Sequence, residues 1–349
     1  MSSRATSLIL VLLLAAAIAN GCMPLEQPAP AIGETLTSGD GHLPLFYAVY
    51  ATPIEEPWAG VIHQALQRAA AEDKIQYEYT DDIGYSGEME RILREVAEKR
   101  KPAAIFRDAY GNEEAVRRVA GDYQAVPFIF GSGLGPSGPN LSVFDDWIHE
   151  SAYLCGMLAG GLTASNTIGV VAGFPVAEVN RLVNAFTVGV AETNPEAKVQ
   201  VTFINSWLNP QAGGQAARSQ IAAGADVLYA ERAGVIEVAA EQKLFVFGNL
   251  SDQNALAPEW VVTGPVWNMT PTVEHVIDQI KSGCYTALDL KDFSMMARGG
   301  ASLASFHGND AKIPQSTLDA MYQRLDQISQ GLYHVAINEA PPANYTLIK

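Results

Sequence analysis

The sequence predicts an α/β protein made of two doubly wound parallel sheets joined by a hinge. Short apolar strands alternate with amphipathic helices along most of the chain, and the loops between them are short. Similar numbers of these strand and helix units lie on each side of about residue 140. The length of 349 residues and the hydrophobic content of 48% allow two substantial cores, and therefore two domains.

The N-terminus has the pattern of an export signal. Arg4 precedes an apolar run from Leu8 to Ile18, which is too short to span a bilayer as a helix. Small residues then lead directly into Cys22, as in the bacterial lipobox, whose cysteine is lipidated and becomes the mature N-terminus. Ala19 stands where that motif usually has leucine, so an ordinary signal cut near the same place is the alternative. Residues 1–21 are interpreted as a lipoprotein signal peptide, with Cys22 as the lipid anchor.

The amino-acid composition indicates a tether near the N-terminus and excludes some kinds of partner. Residues 22–42 are rich in proline, glycine and small polar residues, which is typical of a flexible tether. The formal net charge of −16 argues against nucleic acid or an anionic membrane surface as a partner. Cys155 and Cys284, the only other cysteines, are too few for a disulfide framework.

The first half of the chain contains four predicted strands and three predicted helices. Predicted strands are apolar or alternating, and each predicted helix has an apolar face at three- and four-residue spacing. The strands are Leu45 to Ala51, Ile75 to Tyr79, Ala103 to Phe106 and Val126 to Phe130, and the helices are Pro57 to Ala71, Glu88 to Glu98 and Glu113 to Val119.

The second half repeats the pattern, and its clearest unit is Ile168 to Pro210. That stretch contains a strand from Ile168, a helix with an apolar stripe through Val179 and Phe186, and a strand that ends near Asn205. The other predicted elements are a long helix from Trp147 to Leu162, helices Gln215 to Ala223, Val235 to Glu241, Thr270 to Ser282 and Thr317 to Ser329, and strands Val227 to Ala230, Leu244 to Phe247 and one near Val261.

Motifs for catalysis, metals and nucleotides are missing from the sequence. The glycine run GSGLGPSG, residues 131–138, has the wrong spacing for a phosphate-binding loop and is interpreted as a hinge or a turn. His63 and His149 lack a second ligand at metal spacing, and no GxSxG occurs. We therefore expect no cofactor, no metal and no enzyme activity.

The central segments resemble the basic membrane protein family of solute-binding lipoproteins, which includes PnrA-like purine nucleoside receptors of ABC importers. The resemblance rests on FPVAEVNRLVNAFTVGVAETNP, FINSWLNP, GADVLYAE, FGNLSDQ and TGPVWNMTP, in this order. It covers about residues 44 to 305 and implies a type I periplasmic-binding-protein fold, no catalysis, and delivery of a nucleoside or nucleobase to a membrane permease.

The resemblance implies two aromatic residues that stack on a flat ligand. Nucleoside-binding members carry an acidic pair and an aromatic residue in the first loop, and the corresponding residues here are Glu55, Glu56 and Trp58. Trp207 matches a position for a second aromatic on the other lobe. The alternative is that each tryptophan only packs in a core or between the lobes.

Several polar and aromatic residues follow predicted strands at the same sheet edge, where ligands bind in open α/β folds. Glu178 has groups that accept hydrogen bonds from a ligand and Arg181 has groups that donate them, although the two could equally form an ion pair on one helix face. The remaining candidate ligand-binding residues are Phe174, Tyr110, Glu231, Asn249, Asp252 and Trp267.

Two departures from the family pattern concern the ligand. By the resemblance, Leu250 stands where the family has an aspartate, and Trp267 stands where nucleoside binders commonly have lysine. Both losses weaken the case for ribose recognition and favour a free nucleobase or a related planar heterocycle.

The resulting prediction is a monomeric, exported solute-binding protein of an ABC importer, held to the outer face of the cytoplasmic membrane by lipid on Cys22. We expect an N-terminal lobe over residues 43–140 with a return segment near 262–300, a C-terminal lobe over 141–261, and a C-terminal helix and tail over 301–349. The alternatives are a nucleoside receptor, a sensor lipoprotein that reports ligand to a membrane kinase, and an exported enzyme with Glu178 or Asp252 as general base.

Overall fold

A computed structural model describes residues 42–85, 87–108 and 111–348 of the chain. Cys22, the signal peptide and the tether predicted at residues 1–42 therefore lie almost wholly outside the described residues, and so does Tyr110. In the described part, two parallel five-stranded sheets are flanked by helices, which confirms the predicted fold class.

The first sheet has the strand order β2-β1-β3-β4-β5, with every neighbouring pair parallel. Because a parallel connection needs a crossover, helices α1 to α3 cover the faces of this sheet. The elements are β1 (Leu45–Val49), α1 (Pro57–Ala71), β2 (Gln76–Thr80), α2 (Glu88–Glu95), β3 (Ala104–Arg107), α3 (Glu113–Asp122), β4 (Phe128–Gly131) and β5 (Leu141–Phe144).

The second sheet has the order β12-β7-β6-β8-β9 and is also parallel throughout. Its last strand comes from the end of the described chain and adds to the edge beside β7. The elements are α4 (His149–Leu162), β6 (Thr167–Ala172), α5 (Ala177–Thr193), β7 (Lys198–Phe203), α6 (Pro210–Ala222), β8 (Val227–Ala230), α7 (Val235–Glu241), β9 (Phe245–Phe247), β10 (Pro265–Trp267), α8 (Thr270–Lys281), β11 (Ala301–Leu303), α9 (Gln315–Ser329) and β12 (Tyr345–Leu347).

The chain passes between the two cores three times. It leaves the first sheet after β5 and enters the second core with α4, and it returns after β9 so that α8 packs beside α1 in the first core. After β11 it crosses again, and α9 packs in the second core. The short antiparallel pair β10 and β11 lies at these crossings. The first sheet reaches Phe144, beyond the lobe end expected at residue 140, and the lobe boundaries otherwise stay a prediction.

Most predicted elements agree with the structure to within a few residues, and the differences have local causes. Helix α6 begins at Pro210, five residues before its predicted start, because the Asn209 side chain accepts a hydrogen bond from the Ala212 amide at 3.0 Å and proline suits the first helical position. The strand expected near Val261 is a single bridge to Val246. The glycine-rich segment is the turn between β4 and β5 rather than a lobe hinge.

Helices α4 and α5 pack at unusually close range because glycines face backbone atoms across the contact. A Cβ added at Gly156 would lie 2.0 Å from the Phe186 carbonyl oxygen, and one added at Gly189 would lie 1.9 Å from the Tyr153 carbonyl oxygen. Residues 149–160 of α4 are all buried. This helix pair is a rigid backing for the second sheet.

Gly189→Ala is expected to destabilise the protein, because the new methyl group meets backbone that a side-chain rotation cannot move. Overpacking of this kind costs about 1–3 kcal/mol, which thermal denaturation would detect as a Tm lower by several degrees. Gly121→Ala in α3 is the matched control, since its Cβ would meet nothing within 4 Å. Equal Tm values for the two variants would contradict the close-packing argument.

A cavity between the two sheets as the candidate ligand site

A cavity lies where the carboxyl ends of the two sheets face one another. It has an empty volume of about 400 Å³, part of it open to solvent. Loops that leave the carboxyl ends of parallel strands are the usual ligand site of such sheets. Its lining residues are Thr52, Glu56, Trp58, Tyr85, Asp108, Glu178, Trp207 and Arg232.

Glu56 is the N-cap residue of helix α1 and also lines the cavity. Its Oε2 caps the helix by accepting hydrogen bonds from the amides of Trp58 at 2.9 Å and Ala59 at 3.1 Å. Its Oε1 faces the other lobe, 3.9 Å from Nη1 of Arg232. Burial raises the pKa of Glu56, although Arg232 and the two amides oppose the shift.

Trp58 supplies an aromatic wall from the first lobe. Its ring stacks on Phe144 with centroids 5.6 Å apart and lies 4.8 Å from Trp267. Trp267 packs behind Trp58, outside the cavity lining, and donates its indole N–H to Ser294 Oγ at 3.1 Å. Since Trp58 is held from behind by two rings, its remaining face can receive a flat ligand at small entropic cost.

Trp207 supplies the facing wall from the second lobe, after β7. Its ring lies 4.7 Å from that of Phe174 and 5.2 Å from the guanidinium carbon of Arg232. A Cβ at Gly173 would lie 3.1 Å from the Trp207 ring, so glycine there leaves room for the indole. Both tryptophans selected from the sequence thus border one cavity, while their stacking on a ligand stays a prediction.

Arg232 follows β8 and is buried beside Glu231. Its Nε donates to Glu231 Oε2 at 2.8 Å, its Nη2 donates to Glu231 Oε1, and its Nη1 donates to the Trp207 carbonyl at 3.2 Å. Glu231 Oε2 also accepts a hydrogen bond from the Gly173 amide at 2.8 Å. Burial opposes the charge of Arg232, but Glu231 more than compensates and raises its pKa. The guanidinium therefore stays charged inside the cleft.

Asp108 is the acidic residue at the end of β3. Its Oδ2 accepts a hydrogen bond from the Ala51 amide at 2.8 Å, and its Oδ1 lies 3.1 Å from Arg107 Nη1. Burial raises the pKa of Asp108 to about 6, and the Arg107 charge and the amide bond reduce the shift. This carboxylate is fixed in place before any ligand arrives.

Glu178 belongs to an acidic cluster that joins both lobes. Ser132, at the end of β4, has its Oγ 2.9 Å from Asp145 Oδ1 and 2.9 Å from Glu178 Oε2. A hydroxyl carries one hydrogen and can donate to only one of these carboxylates. The second bond requires a proton on a carboxyl group. Burial and the Asp145 charge raise the pKa of Glu178 to about 8, which makes Glu178 the group that carries this proton.

Arg181 neutralises this acidic cluster and lies outside the cavity lining. Its guanidinium contacts Asp145 Oδ2 and Glu339 Oε1, both at 2.7 Å, and lies 3.6 Å from the centroid of the Trp147 ring. The carboxylates of Asp145, Asp146 and Glu178 are close enough together to hold a cation. Arg181 already supplies positive charge there, 3.7 Å from Asp146.

The other candidates selected from the sequence lie farther from the cavity. Asn249 is buried and accepts a hydrogen bond from the Tyr229 hydroxyl at 2.8 Å, next to a smaller pocket that continues from Glu56 and Arg232. Asp252 is exposed and pairs with His307 at 2.7 Å. Tyr110 is outside the described residues.

Sequence reasoning overlooked four lining residues, although a signal for each was available. Each follows a strand at the same sheet edge as the chosen residues, and Arg232 directly follows Glu231. Aromatic character and the family pattern drew attention to other positions, among them Glu56 as part of the acidic pair. The four are Thr52, Tyr85, Asp108 and Arg232.

Comparison with known proteins identifies the family. The model of the ABC transporter substrate-binding protein PnrA-like family, Bmp, matches residues 49–287. The chain belongs to this family. The matched range contains the whole cavity lining and both sheets apart from β12 and all of β1 except its last residue, Val49.

The names of two curated relatives state different ligands. A protein of Haloferax volcanii named as an ABC transporter glucose-binding protein is 28% identical over 262 residues, which is 74% of this chain and 64% of the relative. A purine-binding protein of Brucella abortus is 26% identical over 212 residues, which is 60% of this chain and 59% of that protein. The chain thus spans less than two thirds of either relative.

Solved structures of solute-binding proteins share the fold. An ABC transporter solute-binding protein from Conexibacter woesei has a TM-score of 0.69 at 18% identity, covering 84% of this chain and 98% of its own. One from Aeropyrum pernix has a TM-score of 0.71 at 14% identity, covering 84% and 93%. Among the described residues, none of the helices has the length and apolar character needed to cross a membrane.

The raised pKa of Glu178 predicts that the protein is less stable in alkali. The folded state holds a proton on Glu178 up to about pH 8, whereas the unfolded chain releases it near the ordinary value of 4.5. The unfolded state then binds fewer protons, so the free energy of unfolding is highest below pH 4.5 as far as this group is concerned. It falls as the pH rises from about 5 to about 8.

Urea denaturation at pH 5.5, 7 and 8.5 would measure this dependence. Glu178→Gln, which keeps a donor toward Ser132 without a titrating group, is expected to reduce the loss of stability at pH 8.5. Glu237→Gln on the exposed face of α7 is the control and should follow wild type. An identical pH dependence in wild type and Glu178→Gln would show that Glu178 does not carry the proton.

Proposed function

We propose that the protein is the extracytoplasmic solute-binding component of an ABC importer and that it captures a purine-like nucleobase between its two lobes. The observation that carries the proposal is the pair of indole rings, Trp58 and Trp207, which border one cavity from opposite lobes. Charged groups with both donor and acceptor character line the same cavity. A ligand held by both lobes favours the closed arrangement, as a permease that accepts only loaded protein requires.

The chemistry of the walls suits a flat heterocycle. Stacking of a base on one aromatic ring contributes roughly 1–3 kcal/mol, and the cavity offers two such rings. Glu56 and Asp108 present carboxylates to ring N–H groups, and Arg232 presents N–H groups to ring nitrogens or carbonyl oxygens. Shape and hydrogen bonding thus both select a nitrogen heterocycle.

A free base is favoured over its nucleoside. Leu250, which stands where a family aspartate is expected, is buried in the first core, and Trp267 is buried behind Trp58. Neither offers a polar group to the cavity for a ribose hydroxyl. A nucleoside receptor is therefore the alternative within the same class.

The name of the Haloferax volcanii relative makes a sugar the competing ligand. A tryptophan face also packs against the C–H face of a pyranose, so one ring alone would not discriminate. Two indole rings in one cavity lining favour an aromatic ligand over a sugar, whose ring hydroxyls would all need polar partners on burial. Glucose belongs in any binding screen for this protein.

Export, anchoring and partner are part of the same proposal. The signal pattern at residues 1–21 and the cysteine at position 22 support lipid attachment on the outer face of the cytoplasmic membrane, and the family supports an ABC permease as partner. Capture by a monomer without catalysis fits a cavity that contains fixed carboxylates but no arranged nucleophile among its described lining residues. A sensor that reports ligand to a membrane kinase would use the same site.

A thermal-shift screen of the full-length protein tests the ligand class. Ligand present at a hundred times its Kd adds about 2.7 kcal/mol to the free energy of unfolding. The screen should contain nucleobases, nucleosides and glucose, and a rise in Tm with free bases that exceeds the rise with nucleosides is expected. A response to glucose alone would reject the purine proposal, and turnover of a bound base would reject a purely binding role.

Trp58→Ala should weaken base binding by about 1–3 kcal/mol, that is roughly 5- to 150-fold in Kd, because one stacking face is lost. Isothermal titration calorimetry measures this change. Trp58→Phe keeps an aromatic face and should bind more tightly than Trp58→Ala. Tyr322→Ala, at an exposed aromatic on α9, controls for loss of any aromatic side chain. Unchanged affinity in Trp58→Ala would remove Trp58 from the site.

A further inference from the structure

Arg232 has hydrogen-bond donors left over after its contacts with the protein are counted. A guanidinium carries five N–H groups in a planar fork. Three of them are used: Nε–H and one Nη2–H on Glu231, and one Nη1–H on the Trp207 carbonyl. One N–H on each Nη has no acceptor among the described residues within hydrogen-bond distance. Arg232 is buried and lines the cavity, so these two donors are available to a ligand in the cavity.

Glu231 fixes the direction of the two remaining donors. Its two carboxylate oxygens hold Nε and Nη2 of Arg232 from one side, and its Oε2 is itself anchored by the Gly173 amide. Trp207 restrains the other side through its carbonyl and its ring. The guanidinium is therefore preorganised, and ligand binding does not have to restrict the motion of this side chain further.

An acceptor from the opposite lobe lies beside this fork. Glu56 Oε2 is occupied by helix α1, while Oε1 is 3.9 Å from Arg232 Nη1, too far for a hydrogen bond. A ring does not fit between groups this close together, so a ligand must meet both at one edge. An edge with two adjacent acceptors for Arg232 and a donor next to them for Glu56 would satisfy all of these groups.

We infer that the site selects 6-oxopurines such as guanine and hypoxanthine over adenine, with Arg232 as the residue that determines specificity. This inference rests on the proposed purine-binding function. The O6 and N7 atoms of a 6-oxopurine are the adjacent acceptors that arginine contacts bidentately, and the N1–H group is the donor beside O6. Adenine presents an amino donor next to N7, and this donor would face the donors of Arg232.

The charge around the cavity agrees with this ligand class. Arg232 is the cation in the described lining, and Glu56, Asp108 and Glu178 are acidic residues there. An anionic ligand would meet the carboxylates of Glu56 and Asp108, so a neutral base with N–H donors is the better partner for the fork. Guanine adds an N2 amino group on the same side as N1–H, which gives a nearby carboxylate a second donor.

Ligand analogues test the inference without changing the protein. Calorimetry with the full-length protein should compare guanine, hypoxanthine, adenine, 7-deazaguanine, which lacks the N7 acceptor, and 2-aminopurine, which lacks O6. Guanine is expected to bind at least about tenfold more tightly than adenine, 2-aminopurine or 7-deazaguanine. Adenine binding as tightly as guanine, or no loss with both analogues, overturns the inference while the purine proposal stands. Binding of none of the bases overturns both.

Variants of Arg232 supply the second measurement. Arg232→Lys replaces the fork by a single ammonium group, so it should lower guanine affinity at least about tenfold more than adenine affinity. Arg218→Lys, at an exposed arginine paired with Glu241, is the matched control and should leave the ratio of the two affinities unchanged. An equal loss for both bases in a folded Arg232→Lys protein would mean that Arg232 only supports the cavity, which contradicts a specificity role.

Discussion

The buried ion pair between Arg232 and Glu231 is the interaction on which the site depends. Parallel sheets bring their loops together at one edge, and here those loops carry several carboxylates into a space with little solvent. Without an internal cation these acids would repel one another and resist closure. Glu231 holds the guanidinium by two hydrogen bonds, so positive charge is available to both lobes at a fixed place. The guanidinium carbon lies 5.2 Å from the centroid of the Trp207 ring, and Trp58 lines the same cavity from the other lobe.

A second charge balance joins the lobes beside the candidate cavity, whose lining includes Glu178. Ser132, Asp145 and Glu178 come from a strand end, a crossing segment and a helix start, and Arg181 compensates their charge while it also binds Glu339 in the C-terminal tail. Since Ser132 can donate to only one carboxylate, this contact between the lobes holds a proton. The protonated contact and the cavity lining therefore share one residue, Glu178.

Hydrophobic periodicity was sufficient to predict the helices and most strands, because buried parallel strands are continuous apolar runs and their helices carry one apolar face. It did not reveal β5, β10, β11 or β12, which are three or four residues long and are defined by pairing with distant strands. For the site, Trp58 and Trp207 could be chosen by residue type and family pattern. Arg232 could not, because its importance comes from the donors left after Glu231 is satisfied, and that count needs coordinates. Asp252 follows a strand at the expected sheet edge and was therefore chosen as a ligand-binding residue. In the structure its carboxylate pairs with His307 on the surface.

The direction of β1 determines where the cavity lies relative to the point at which the chain enters the first sheet. The chain enters this strand at Leu45 and reaches Thr52 in the cavity lining after the strand ends, so the entry point and the cavity lie at opposite edges of the first sheet. A five-residue strand is about 16 Å long. The part of the cavity lining that follows β1 is therefore about one strand length from the residue at which the chain enters the sheet.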